Sequence, residues 1–191
     1  MSELRKPVSD DIRSRKYLTP SEVARLAEAA GKIGRHRHRD KHIVLFMYMH
    51  GMRVSELIAL KRHQLDLDSG DVHVRRRKGG KPATHPLIGL EIRAFRKLLR
   101  DYPDSPYVFS SERHGPLTDS AVRKMIVRAG VRAKIGFPVN PHALRHACGY
   151  KLANDGRDTR AIQDYLGHRN IKNTELYTEL AADRFRDFFE D

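Results

Sequence analysis

Between Leu65 and Leu87 the apolar residues of this chain alternate, whereas on either side they recur at helical spacing. Val72 and Val74 fall on one face of an extended segment and Asp71, His73 and Arg75 on the other, the pattern of a half-buried strand. Gly79-Gly80 supplies a hairpin turn, and Ala83 to Leu87 forms the returning strand. A short sheet set early in a run of helices predicts a mainly α chain with a small antiparallel β-sheet, an α+β class.

The helices announce themselves by their caps. At Thr19-Pro20-Ser21-Glu22 a capping box with proline in the first turn opens a helix. Val23, Leu26, Ala27 and Ala30 follow at helical spacing, and Gly31 ends it. The next helix, over about 40–50, is apolar nearly all round and belongs at the centre of the core. A shorter one starts near Val54 and ends before His63. Further helices are expected at about 90–100, 118–129, 141–154, 159–166, 171–178 and 181–189. The three prolines from Pro103 to Pro116 mark a connection, with Tyr107-Val108-Phe109 as a short strand candidate.

The 191 residues are enough for one domain, or one domain plus an arm, with a core of its own. Lys and Arg number 37 against 24 Asp and Glu, a net charge of +13, which calls for a polyanionic partner. The excess lies in residues 1–150, with 30 basic against 15 acidic residues; 151–191 holds 7 against 9 and suits a protein partner better. Residues 1–16 read as a flexible basic arm. A single cysteine, Cys148, rules out an internal disulfide, suits a reducing cytoplasm, and reads as a small buried apolar residue. The longest apolar run, Ile43 to Met49, is too short for a membrane span, and no signal core opens the chain. The run Arg35-His36-Arg37-His38-Arg39 reads equally as a solvated loop and as a phosphate contact.

Several short motifs carry candidate chemistry. Arg53 and Glu56, three apart in Gly51-Met52-Arg53-Val54-Ser55-Glu56-Leu57, share a helix face, so Glu56 can hold the guanidinium from behind; a plain surface ion pair fits as well. His142 and Arg145 follow Pro141 in a first helical turn, where free amides attract phosphate. His146 makes an H-x-x-x-H spacing with His142, but no acid or thiol completes a metal site, and it reads as a hydrogen-bonded helix residue. Lys78 sits at the hairpin tip among Arg75, Arg76, Arg77 and Lys81, a basic ribbon that fits a DNA groove or simply a solvated turn. His168 follows Leu166-Gly167. Tyr177, nine residues on, is either core packing or a nucleophile whose proton must be removed.

In this order the motifs resemble the tyrosine recombinase (phage-integrase) family, over about residues 17–190. The resemblance implies the tyrosine recombinase catalytic-domain fold and a site-specific recombinase that cuts and rejoins DNA through a 3′-phosphotyrosine. Tyr177 would be the nucleophile, and Arg53, Arg145 and His168 would stabilise the phosphate. Lys78 would be the general acid and His142 the acceptor of the tyrosine proton. Because the covalent link retains the bond energy, neither metal, ATP nor another cofactor is implied. Double-stranded DNA would be the partner of a homo-oligomer, a tetramer on synapsed sites, with accessory DNA-bending proteins. The pattern is similar to the short fimbrial phase-switch invertases, with 17–179 as catalytic domain. In 180–191, Ala181, Phe185, Phe188 and Phe189 form an apolar stripe on an acidic helix that would dock on a neighbouring protomer or pack back on its own domain. A catalytically idle DNA-binding regulator and a type IB topoisomerase remain the alternatives.

Overall fold

The structure, a computed structural model, describes residues 17–76 and 80–179. The hairpin tip with Arg77, Lys78 and Gly79, the basic arm 1–16 and the segment 180–191 lie outside the described residues. The order is α1 (Pro20–Ala30), α2 (Arg37–Met49), α3 (Val54–Leu57), a 3-10 turn (Arg62–Gln64), β1 (Leu65–Asp66), β2 (Asp71–Val74) and β3 (Ala83–Pro86). Then come α4 (Gly89–Asp101), α5 (Asp119–Arg132), α6 (Pro141–Asn154), α7 (Thr159–Leu166) and α8 (Lys172–Glu179). The α+β expectation holds: along the chain, helices precede and follow one antiparallel three-stranded sheet of order β1-β2-β3.

Local chemistry explains most boundaries. Thr19 caps α1 through Glu22 N–H at 3.3 Å, and the Glu22 carboxylate accepts the Thr19 N–H at 2.8 Å. Asn140 caps α6 by accepting from Ala143 N–H, with Pro141 in the first turn. In the sheet, Val72 faces His85 and Val74 faces Ala83, and both valines are buried. Two expectations shift. The helix expected from Val54 to His63 is a single turn, α3, continued by a separate 3-10 turn. Tyr107 makes only an isolated bridge to Lys61, while Val108 and Phe109 are buried in the core.

Part of the charge run 35–39 is built into the fold, while Arg35 and Arg37 stay exposed. Helix α2 begins three residues earlier than expected, and Arg39 is buried, paired with Asp40 at 2.8 Å and donating to Ser110 O at 2.7 Å. Arg35 and His36 each reach Glu112 at 2.9 Å. A buried guanidinium must be paired: the counter-charge of Arg39 is its neighbour Asp40, while Ser110 O and Glu112 come from a loop about seventy residues away.

The main core joins α1, α2, α5 and part of α6. A smaller cluster gathers Cys148, Tyr150, Ala153, Ile162, Leu166 and Tyr177 between α6, α7 and α8. Burial pushes the Cys148 thiol up to about 12, so it is an inert packing group. Helix α7 is tied to the rest through a buried polar cluster. His50 bonds Glu91 at 2.9 Å and His85 at 3.1 Å, the His85 ring stacks on Tyr165 at 3.8 Å, and Tyr165 donates to Met49 O at 2.8 Å. Burial, then His50 and Arg76, lowers His85 to about 3, so it stays neutral in this cluster. No helix among the described residues is long and apolar enough to cross a membrane.

Candidate active site

Arg53 caps α3, and its position follows from Glu56 one turn on. The Glu56 carboxylate accepts the Arg53 backbone N–H at 3.0 Å and the Arg53 guanidinium at 2.7 Å. Its second oxygen receives Arg76 at 2.9 Å, and the side chains of Glu56 and Arg76 are both 0 % exposed. Burial alone would raise the Glu56 carboxyl, but Arg76 and Arg53 outweigh it and hold the group below the usual carboxylate range. The sequence allowed a surface ion pair here. The structure has instead a buried carboxylate clamped between two guanidiniums.

Arg76 therefore does not occupy the DNA-facing place given to it from sequence. It continues the inward face of β2, crosses the Gly167 turn and donates to His50 O (3.3 Å) and to Tyr165 O. A side chain at Gly167 would put its Cβ 2.6 Å from Arg76 Cγ, and the backbone there is left-handed at φ 65°. Arg75 and Lys81 are exposed. Lys81 shares a polar cleft with Arg160, Arg169 and His168.

Arg145 is 1 % exposed, yet its guanidinium reaches two chain junctions at once. It donates to Gly51 O, where the backbone is left-handed at φ 56°, and to Leu166 O at 2.6 Å. Burial, then the neighbouring Arg53 and Arg76, lowers its value to about 10, which leaves it cationic at neutral pH. Arg53, His142 and Arg145 line one cleft of about 290 Å³, together with Ser55, Asp119 and Arg123. Sequence reading passed over Arg123. Its signal was the Asp119–Arg123 spacing of four on α5, where the structure has an ion pair.

Both histidines of the set are held neutral. Burial, then Arg145, Arg53 and Arg123, lowers His142; burial, then Arg145, Arg53, Arg76 and His146, lowers His168 to about 3. Those cationic neighbours describe a site built for an anion. His168 Nδ1 lies 2.9 Å from the hydroxyl of buried Thr174; when that hydroxyl donates, the ring keeps its proton on Nε2.

Tyr177 is 2 % exposed, on α8, with its ring against Gly149 of α6. Its hydroxyl bonds His146 Nδ1 at 3.0 Å, while His142 stands one ring behind, 4.2 Å from His146. The partner expected from sequence for the tyrosine proton was His142. Burial raises the phenol to about 12 despite the opposing pull of Arg145 and Arg53. An alanine at Gly149 would place Cβ 2.5 to 2.7 Å from the Tyr177 ring. Gly149→Ala should therefore destabilise the fold by about 1–3 kcal/mol through overpacking, although alanine favours helices. Urea unfolding of the two proteins measures this, and a more stable variant would show that the ring moves aside freely.

Among the described residues no group of three or more His, Cys, Asp or Glu side chains is placed to hold a metal ion. The set brought together is thus Arg53, His142 and Arg145 on one cleft, with His168 and Tyr177 within the field of the same guanidiniums.

Comparison with known proteins gives the family of the chain. The phage integrase family model matches residues 16–184. The type 1 fimbriae regulatory protein FimB of Escherichia coli (strain K12) is 40% identical over 180 residues, 92% of this chain and 90% of that protein. Tyrosine recombinase XerA of Thermococcus kodakarensis is 38% identical over 177 residues, covering 90% of this chain and 60% of its own length. The crystal structure of XerA recombinase superposes with a TM-score of 0.77 at 31% identity, covering 97% of this chain and 65% of that one.

Proposed function

The chain belongs to the phage integrase family and is a tyrosine-type site-specific DNA recombinase, and from that premise we propose that Tyr177 is its nucleophile. The observation that carries the reading is the cleft where Arg53, His142 and Arg145 converge, with His168 and Tyr177 in the same cationic field. A phosphodiester resists attack because its charge repels nucleophiles and its leaving alkoxide is poor. Arg53 and Arg145 neutralise the non-bridging oxygens, and their forks suit the trigonal-bipyramidal phosphorus better than a point charge would. Neutral His142 and His168 donate N–H bonds to the same oxygens. Lys78 protonates the departing 5′ oxygen. Tyr177 attacks phosphorus, leaving a 3′-phosphotyrosine and a free 5′-hydroxyl that later reverses the step. Double-stranded DNA is the partner, held by the basic residues 1–150, including Arg75, Arg77 and Lys81, so binding falls steeply with salt. Residues 17–179 are the catalytic domain, 1–16 a basic arm, and 180–191 the segment through which protomers couple in a tetramer.

The test is a nicked duplex carrying inverted repeats from beside the gene, incubated in EDTA. The wild type is expected to form a covalent protein–DNA adduct. Tyr177→Phe should bind the duplex and form none. An adduct from Tyr177→Phe would remove Tyr177 as nucleophile, and binding without any wild-type adduct would leave a DNA-binding regulator.

A further inference from the structure

Tyr177 as nucleophile requires that its phenolic proton be removed, a part that the family resemblance gives to His142. We propose that His146 is the catalytic base, taking the Tyr177 proton on Nδ1 during cleavage and returning it during rejoining. The inference rests on the Tyr177 reading above and goes beyond it, because His146 lies outside the set of residues proposed there.

The geometry favours His146 over its neighbours. Its Nδ1 is 3.0 Å from the Tyr177 hydroxyl, within reach for direct transfer. The His142 ring meets the His146 ring edge-to-face, with centroids 4.2 Å apart, while the hydrogen bond of the Tyr177 hydroxyl goes to His146. The His168 ring lies alongside Tyr177, with centroids 6.2 Å apart, and its Nδ1 is taken by Thr174. The i, i+4 spacing of His142 and His146 on α6 sets one imidazole on the cleft and the next behind it at the nucleophile. Among the described residues the groups facing His146 include His142 on the same helix, Tyr177 on α8 and His168 ahead of α8, with Arg145 adjacent in sequence. A base is needed because the buried phenol, raised to about 12, holds almost no phenolate at neutral pH.

The step balances. The Tyr177 O–H bond breaks and an N–H bond forms at His146 Nδ1 as the O–P bond forms. The P–O5′ bond breaks, and O5′ leaves with a proton from the general acid. In rejoining, the 5′-hydroxyl returns its proton to the general acid as O5′ attacks phosphorus, the Tyr177 O–P bond breaks, and the phenolate takes its proton back from His146.

His146→Asn tests this, since the Asn oxygen can accept the hydroxyl bond near the Nδ1 position but cannot take its proton. In single-turnover cleavage of the nicked duplex, the wild-type rate should rise with pH through the range where an imidazole titrates, about pH 5–8. His146→Asn should bind DNA as the wild type does, cleave about 100-fold more slowly or worse, and lose that acid limb. Placing a fluorinated tyrosine of lower phenol pKa at 177 in His146→Asn should recover rate; no recovery overturns the proposal. A slow variant that keeps the acid limb also overturns it, as does one that cleaves like the wild type. His146→Gln provides the same comparison if the Asn protein does not fold. Loss of the adduct in Tyr177→Phe is scored separately, so a wrong base and a wrong nucleophile give different patterns.

Discussion

Glu56→Gln is expected to lower the unfolding free energy by about 3–5 kcal/mol, because it strands the buried Arg76 guanidinium without a counter-charge. The size follows from exposure: neither Glu56 nor Arg76 presents side-chain surface to water, so solvent cannot stand in for the lost partner. Arg53 also loses its 2.7 Å carboxylate contact, so cleavage should fall even under conditions where the variant is folded. The pH dependence has a definite sign. The folded Glu56 value lies below its unfolded value of about 4.3, so its contribution is complete above that pH. The contribution disappears as pH falls through the folded value. Urea unfolding at neutral pH and in acid should show the two proteins converging as acid is added. A Glu56→Met, Arg76→Met double variant should recover much of the loss, since replacing a whole buried pair is far less costly than breaking it. Equal stability of Glu56→Gln and wild type at neutral pH would show that Arg76 finds other partners.

Sequence pattern was sufficient for the α+β class because helix and strand periods differ plainly on either side of Leu65 and Leu87. Local signals placed the starts of α1 and α6: the Thr19–Glu22 capping box and Pro141 in a first turn need no tertiary context, and the structure adds Asn140 as the cap of α6. Charge was harder to read. The pleat that sends Val72 and Val74 inward also sends Arg76 inward, two residues further on the same face. Grouping Arg75, Arg76 and Arg77 as one basic ribbon followed composition where the period of two already separated them. Arg39 was hidden for a different reason: its acceptor, Ser110 O, comes from a distant loop that no local pattern announces.

The residues around the cleft were legible as types, since Arg53, His142 and Arg145 do share one cavity. Their division of labour was not. Spacing puts His142 and His146 on one face of α6, but only the packing of α8 against Gly149 decides which imidazole meets Tyr177. The same packing bears out the core reading of Tyr177, and the nucleophile reading is the one proposed above. Its ring fills the small cluster while its hydroxyl is held by a histidine.

Arg145→Lys should lower the cleavage rate by about 10²–10³-fold while weakening DNA binding far less. A lysine keeps the charge that draws the backbone in, so the salt-dependent part of affinity survives. It loses the planar fork. Arg145 uses two donors on Gly51 O and Leu166 O, and the rest of its fixed set of five remains for phosphate oxygens. An ammonium with three donors cannot bridge both carbonyls and still meet a phosphate in the right plane. Those two carbonyls belong to the glycine turn before Arg53 and the helix end before His168, so the fork also sets the distance between two other groups of the site. The rate loss is therefore of the size that losing one transition-state donor brings, and it appears in the chemical step because the oxygens gain charge only as phosphorus becomes pentavalent. Single-turnover cleavage with saturating protein, beside binding titrations at fixed salt, separates the two effects. If binding fell as far as cleavage, Arg145 would be holding ground-state DNA, and its place in transition-state stabilisation would be lost.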